Sequence, residues 1–132
     1  MAMAHKRTAI LVVEDDSELG SLLEAALAPL GQTVLAKTWA EARVWLERGC
    51  FSLVLLDLYL PDADLTEPLE TIRKHDADLP VILMSGNIDS SDIIIDRAAR
   101  MGVNDVLIKP FRFEVLVEKV RGYLSPSQNH GK

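Results

Sequence analysis

Apolar and polar positions along this chain follow two rhythms. Residues 8–13 (TAILVV), 33–36 (TVLA), 51–57 (FSLVLLD), 80–84 (PVILM) and 105–108 (DVLI) are short, nearly continuous apolar runs. Runs of that length without strict alternation suit strands covered on both faces. Between them the spacing turns helical. From Ser17 to about Ala28, Leu19, Leu22, Leu23, Ala26 and Leu27 recur on one side. Pro29 disfavours helical geometry at Ala28, so the helix should end or bend there. Thr38 with Glu41 is a capping-box pattern that opens a second helix, to about Arg48, and Gly49 suits its stop. A third helix is expected from about Thr66 to Lys74, with Pro68 in its first turn. Residues 85–90 read as a polar loop. A cap at Ser90 or Ser91 opens a fourth helix to Met101, stopped by Gly102, and a fifth covers 112–124.

Five strands alternating with five helices predict an α/β fold: a doubly wound five-stranded parallel sheet with helices on both faces. Residues 8–124 form the domain, 1–7 an N-terminal extension, and 125–132 a flexible tail or the start of a linker. On the fourth helix, Ile95, Ala98, Ala99 and Gly102 should face the sheet. Ile94 and Met101, with Ile93 beside them, form a neighbouring stripe. That stripe is either a margin of the core or the contact of a homodimer or partner.

The chain has 132 residues, enough for one domain, and 48% of them are hydrophobic. No apolar run approaches the ~18 residues of a membrane span. The start, MAMAHKRTAILVV, reaches Glu14 without a small-residue cleavage site, which argues against a signal peptide. Charge is 14 − 20 = −6, with no basic block, so direct nucleic-acid binding is not expected. A single cysteine, Cys50, cannot form an internal disulfide and fits a cytoplasmic location. His5, His75 and His130 lack ligand-spaced partners, so no zinc site is proposed. Trp39 and Trp45 are read as packing residues.

In doubly wound sheets the functional site lies at the carboxyl ends of the strands. Those ends carry Glu14-Asp15-Asp16, Asp57, Ser85 and Lys109. Asp16 is better read as a helix cap or first-turn charge. Clustered carboxylates repel, and a hard divalent cation such as Mg²⁺ resolves that repulsion while leaving room for phosphate oxygens. A carboxylate can serve as nucleophile and form an aspartyl phosphate. A hydroxyl and an ammonium would meet the phosphoryl oxygens.

The stretches VVEDD, LVLLDLYLP, VILMSG and LIKPF resemble the four signature segments of the response-regulator receiver family, in the family's order and at nearly its spacing. The likeness covers residues 8–124. It implies a flavodoxin-like strand order 2-1-3-4-5 and a phosphoacceptor switch of two-component signalling or a phosphorelay. It implies Asp57 as phosphoacceptor, Asp15 as a direct Mg²⁺ ligand, Glu14 as one acting mainly through water, and the Tyr59 carbonyl as the third protein ligand. Ser85 would bond a phosphoryl oxygen and Lys109 would pair with the phosphate, with a cis Lys109–Pro110 bond. A histidine kinase or histidine phosphotransfer protein would be the donor. Phosphorylation would change the surface formed by the fourth helix, fifth strand and fifth helix. Beyond self-phosphotransfer and slow autodephosphorylation, no enzymatic activity is expected.

Three departures from the family pattern stand out. Leu65 occupies a position that is usually glycine; a positive φ would strain it, so a differently shaped loop is expected before the third helix, with the chemistry intact. The Ser85–Gly102 segment is about two residues longer than in close relatives. Val106 replaces a common aromatic, and a short side chain stiff at χ1 cannot sweep a ring inward. Two other functions remain in view. A phosphatase-like hydrolase would want an acid where Tyr59 stands. A degenerate receiver would act as a phosphorylation-independent binding module despite its intact Glu14, Asp15, Asp57, Ser85 and Lys109.

Overall fold

The computed structural model describes residues 8–86 and 91–124, and within 91–95 the backbone alone. Ten elements alternate: β1 (Ala9–Val13), α1 (Ser17–Leu27), β2 (Gln32–Ala36), α2 (Trp39–Arg48), β3 (Leu53–Asp57), α3 (Thr66–His75), β4 (Val81–Ser85), α4 (Ser91–Arg100), β5 (Asp105–Ile108) and α5 (Phe113–Leu124). All strand pairs are parallel, in the order β2-β1-β3-β4-β5. The doubly wound sheet and its order are as expected.

Alternate residues of each central strand feed two separate cores, because successive side chains point to opposite faces. Leu11, Val13, Val54, Leu56, Val81 and Leu83 face α2, α3 and α4 through residues such as Leu46, Leu69, Ile72 and Ala98. Ile10, Val12, Leu53, Leu55, Ile82 and Met84 face α1 and α5 through Leu23, Leu27, Leu116 and Val120. Burial on both faces is why these strands read as continuous apolar runs.

Element ends follow local chemistry. Asp16 caps α1, its carboxylate accepting from the amides of Glu18 at 3.0 Å and Leu19 at 3.2 Å. Ala28 keeps right-handed helical geometry (φ −52°, ψ −40°) despite preceding proline. The helix still stops there, because Pro29 has no N–H to extend it. Thr38 Oγ1 accepts from the Glu41 amide at 3.1 Å, but the Glu41 carboxylate returns to the amide of Lys37 at 2.9 Å rather than to that of Thr38. Gly49 ends α2 in extended geometry, donating to the Trp45 carbonyl. Gly102 (φ +91°) takes the left-handed turn after α4, and the Val103 amide reaches back to the Ala98 carbonyl at 3.0 Å.

Leu65 sits at φ −71°, ψ −31° with its side chain buried, so the loop before α3 takes a right-handed geometry there and is differently shaped, as expected. In α4, Ala98 is fully buried as expected, whereas Ala99 and Gly102 are exposed. Ala99 lies in the last turn of α4, and Gly102 lies past its end at Arg100, in the left-handed turn that leads to β5. Met101 packs against the first core, as the core-margin reading requires. The side chains of Ile93, Ile94 and Ile95 lie outside the described residues, as do residues 87–90, on which the longer loop falls. Trp39 is buried in the core, but Trp45 is 43% exposed, so only the first is a packing residue. Leu22 is also exposed, at the edge of the α1 stripe rather than its centre.

Leu55 is fully buried in the middle of the central strand. Leu55→Ala should lower the unfolding free energy by about 2–5 kcal/mol. Urea denaturation should show this as a lower midpoint at unchanged slope. A loss well below that range would mean that β3 is not packed on its α1/α5 face.

Candidate functional site

The site forms because four strands end at one level of the sheet. Val13 pairs with Leu56, Asp57 with Met84, and Ser85 with Ile108. The next residues of β1 and β5 are Glu14 and Lys109, so Glu14, Asp57, Ser85 and Lys109 rim one edge. The backbone fixes this rim: the Glu14 amide donates to the Ala36 carbonyl, that of Leu58 to Met84, and that of Lys109 to Ser85 at 2.7 Å. The Lys109–Pro110 peptide is cis, as expected.

Glu14 and Asp57 are 4% and 5% exposed, while Asp15 is exposed. Oxygens of these three carboxylates all lie within 4.8 Å of one another. Lys109 Nζ donates to Glu14 Oε1 at 2.8 Å and to Asp57 Oδ1 at 3.4 Å. The strands of Lys109 and Asp57 are two spacings apart, roughly 10 Å. Only a long, flexible cationic stem bridges such a gap while leaving the acids on their own strands. The Tyr59 amide points at Asp57 Oδ1 from 3.4 Å, and the Tyr59 side chain is half exposed. Ser85 is buried at the end of β4.

Burial of its carboxyl pushes the Glu14 pKa up, aided by the Asp57 charge; the Lys109 hydrogen bond and the Asp16 amide only partly offset this. Burial alone would lower Lys109. The hydrogen bond to Glu14 and the charges of Asp57 and Glu14 outweigh it, and the ammonium is held above its ordinary value. One ammonium therefore serves two buried acids, with a third acid at the mouth. Three hard oxygen donors open to solvent on one side are the donor set a small divalent cation requires, and Glu14, Asp15 and Asp57 are the side chains that could hold it.

All four sequence positions that the strand ends pointed to converge here, with Asp15 at the rim and Asp16 turned to capping. Cys50 is exposed and His75 ends α3, both apart from the cluster; His5 and His130 lie outside the described residues. Sequence reading missed Asp62, in the loop after Tyr59. Its carboxylate accepts from the amides of Trp39 at 2.8 Å and Ala40 at 3.0 Å, and the Trp39 bond foremost lowers its pKa. No local pattern signals a cap supplied from so far along the chain. Thr66, at the start of α3, accepts from Arg97 of α4 at 3.0 Å, another contact without a sequence signature.

This sheet edge, with two buried acids, a rim acid and a bridging lysine, is that of a phosphoacceptor signalling domain, and residues 10–121 match the family model of the response regulator receiver domain. The chain belongs to the receiver family of two-component response regulators. It is 37% identical over 126 residues to the transcriptional regulatory protein BasR of Escherichia coli K12, covering 93% of this chain and 55% of that protein. A response regulator receiver domain protein (CheY-like) from Methanospirillum hungatei superposes with a TM-score of 0.83 at 26% identity, covering 96% of this chain and all of that one (100%). The non-phosphorylated HemR receiver domain from Leptospira biflexa gives 0.80 at 30% identity, covering 90% and 95%. The chain spans about half the length of the first curated relatives it matches. Among the described residues, no helix is long and apolar enough to cross a membrane.

The raised Glu14 value has a sign for stability. Between its unfolded and folded values the native state binds more protons, so this residue's contribution falls as pH rises through that window. Lys109, raised as well, contributes below its ordinary value and loses that contribution only as pH climbs through its folded one. In metal-free buffer, Glu14→Gln should therefore flatten part of the fall in melting temperature that begins as pH rises through the ordinary carboxyl range, and should melt above wild type once Glu14 is ionised in the folded protein. Parallel melting profiles for the two proteins would contradict the assignment.

Proposed function

We propose that this domain is a Mg²⁺-dependent phosphorylation switch in which Asp57 accepts a phosphoryl group from a histidine kinase or histidine phosphotransfer protein in the cytoplasm. The observation that carries the proposal is the shared ammonium: Lys109 Nζ lies 2.8 Å from Glu14 and 3.4 Å from Asp57, beside the exposed Asp15. In this reading Asp15, Asp57 and the Tyr59 carbonyl hold the cation directly, and Glu14 does so mainly through water. The cation supplies charge neutralisation for the phosphoryl oxygens.

A carboxylate oxygen of Asp57 attacks the phosphorus of the donor's phosphohistidine. The P–O bond forms as the P–N bond breaks, and the imidazole leaves with the electron pair. Lys109 gives up part of its contact with Glu14 to meet a phosphoryl oxygen, and the Ser85 hydroxyl bonds another. Water later attacks the phosphorus and returns Asp57 as a carboxylate with inorganic phosphate. Output follows from a changed α4/β5/α5 surface, with a homodimer through α4 as one form of it. Val106 is half-buried in β5 and offers no ring to swing. The route to that surface in this proposal is the 86–95 segment, of which residues 87–90 and the side chains of 91–95 lie outside the described residues.

Incubation with acetyl phosphate and Mg²⁺ should add the mass of one phosphoryl group to the intact chain. Asp57→Asn should remove that gain without loss of fold. Lys109→Ala should keep Mg²⁺ binding while weakening the phosphoryl-dependent response. Undiminished incorporation in Asp57→Asn would overturn the assignment. No incorporation in the folded wild type would favour a phosphorylation-independent binding module.

A further inference from the structure

The loop from Asp57 to α3 is held differently on its two sides. Toward the core, Leu58 and Leu65 are buried, and Leu60 and Ala63 pack against the same cluster, which includes Trp39. An isolated bridge between Leu60 and Ala63 closes the turn that carries Pro61 and Asp62. Toward α4 the loop borders an open cleft of about 580 Å³, lined by Asp15, Tyr59, Pro61 and Arg97 among others. Packing on that side therefore does little to fix the loop.

The polar restraint comes from the opposite side. Asp62 Oδ1 accepts from the Trp39 amide at 2.8 Å, and Oδ2 from the Ala40 amide at 3.0 Å, so one carboxylate grips two successive amides of the first turn of α2. That turn already has a local cap, because Thr38 Oγ1 takes the Glu41 amide at 3.1 Å. Asp62 takes two other orphan amides of that turn, so the same two bonds cap the helix and tie the loop to it.

We propose that Asp62 is a positioning residue of the phosphoacceptor site: by anchoring the tip of the β3–α3 loop to the N-terminus of α2, it holds the Tyr59 backbone at the edge of the Glu14–Asp15–Asp57 cluster. The path is short. Asp62 lies three residues after Tyr59, within a turn closed at Leu60 and Ala63. Release of the tip would let the Tyr59 carbonyl drift, while Asp57, fixed in β3, stays in place. The inference rests on the reading of this cluster as a Mg²⁺ site.

The test compares two ways of uncapping the same helix in the full chain. Mg²⁺ alone is titrated and followed by amide chemical shifts, and amide hydrogen exchange is measured in metal-free buffer. Asp62→Ala should weaken Mg²⁺ binding about tenfold and speed exchange across 59–63. Thr38→Ala should also lower the melting temperature, yet leave both Mg²⁺ affinity and exchange in 59–63 close to wild type. Asp62→Asn, which keeps one acceptor, should fall between Asp62→Ala and wild type. Equal effects of Asp62→Ala and Thr38→Ala on affinity and exchange, or no effect of Asp62→Ala on either, would reduce Asp62 to a helix cap and overturn the proposal. If wild type failed to bind Mg²⁺, the metal-site reading would fall. Exchange in 59–63 would then decide by itself whether Asp62 orders the loop.

Discussion

Two buried carboxylates, Glu14 and Asp57, share one ammonium, and much of the site's geometry answers to that fact. Buried charge is tolerated only when paired and hydrogen-bonded. Here the pairing is incomplete: Lys109 lies nearer Glu14 than Asp57, and Glu14 is left with its pKa raised. An unevenly neutralised cluster with one open side is poised to take added positive charge, and it has a lysine that can change partners. A fully matched pair would have been more stable and less responsive. In the proposed switch, the same imbalance that costs stability would favour a cation and a phosphoryl group at Asp57.

The fold supplies what this arrangement needs. A parallel sheet with both faces covered brings the ends of β1, β3, β4 and β5 to one rim, and the fully buried β3 and β4 anchor its centre. Glu14 and Asp57 follow adjacent strands, which sets their separation. Lys109 comes from the sheet edge, which is why it reaches them only through its length. Polar side chains add ties around the rim: Asp16 turns into α1, Asp62 reaches to α2, and Arg97 crosses from α4 to Thr66.

The sheet and the site were legible for the same reason. Strands covered on both faces leave runs such as VILMS and LVLLD, and the polar residue that breaks each run marks the functional edge. Asp57, Ser85 and Lys109 were found because they end such runs. Asp62 was not, since nothing near it in sequence reveals that its carboxylate serves a helix 22 residues upstream. Arg73 escaped for the same reason: its guanidinium holds the carbonyls of Leu79 at 2.7 Å and Gly102 at 2.6 Å, joining the end of α3 to the turn before β5. Leu65 was informative too. A leucine where a left-handed turn is usual pointed to a differently shaped loop, and the backbone there is right-handed. Ala99 and Gly102 fell on the helical stripe by spacing alone, but spacing did not show that α4 ends at Arg100, before Gly102.

The claim that Lys109 changes partners is the centre of this account, and its side-chain amine can be observed directly. In protein with nitrogen-labelled lysines, the Lys109 Nζ signal, assigned against Lys109→Arg, is followed on adding Mg²⁺ and beryllofluoride, a mimic of the phosphoryl group on Asp57. The account predicts a resting signal sensitive to Glu14→Gln, and a new position on modification at which that sensitivity is largely lost. A Lys109 signal that stays in place while Asp57 is modified, and remains as sensitive to Glu14→Gln as before, would contradict it.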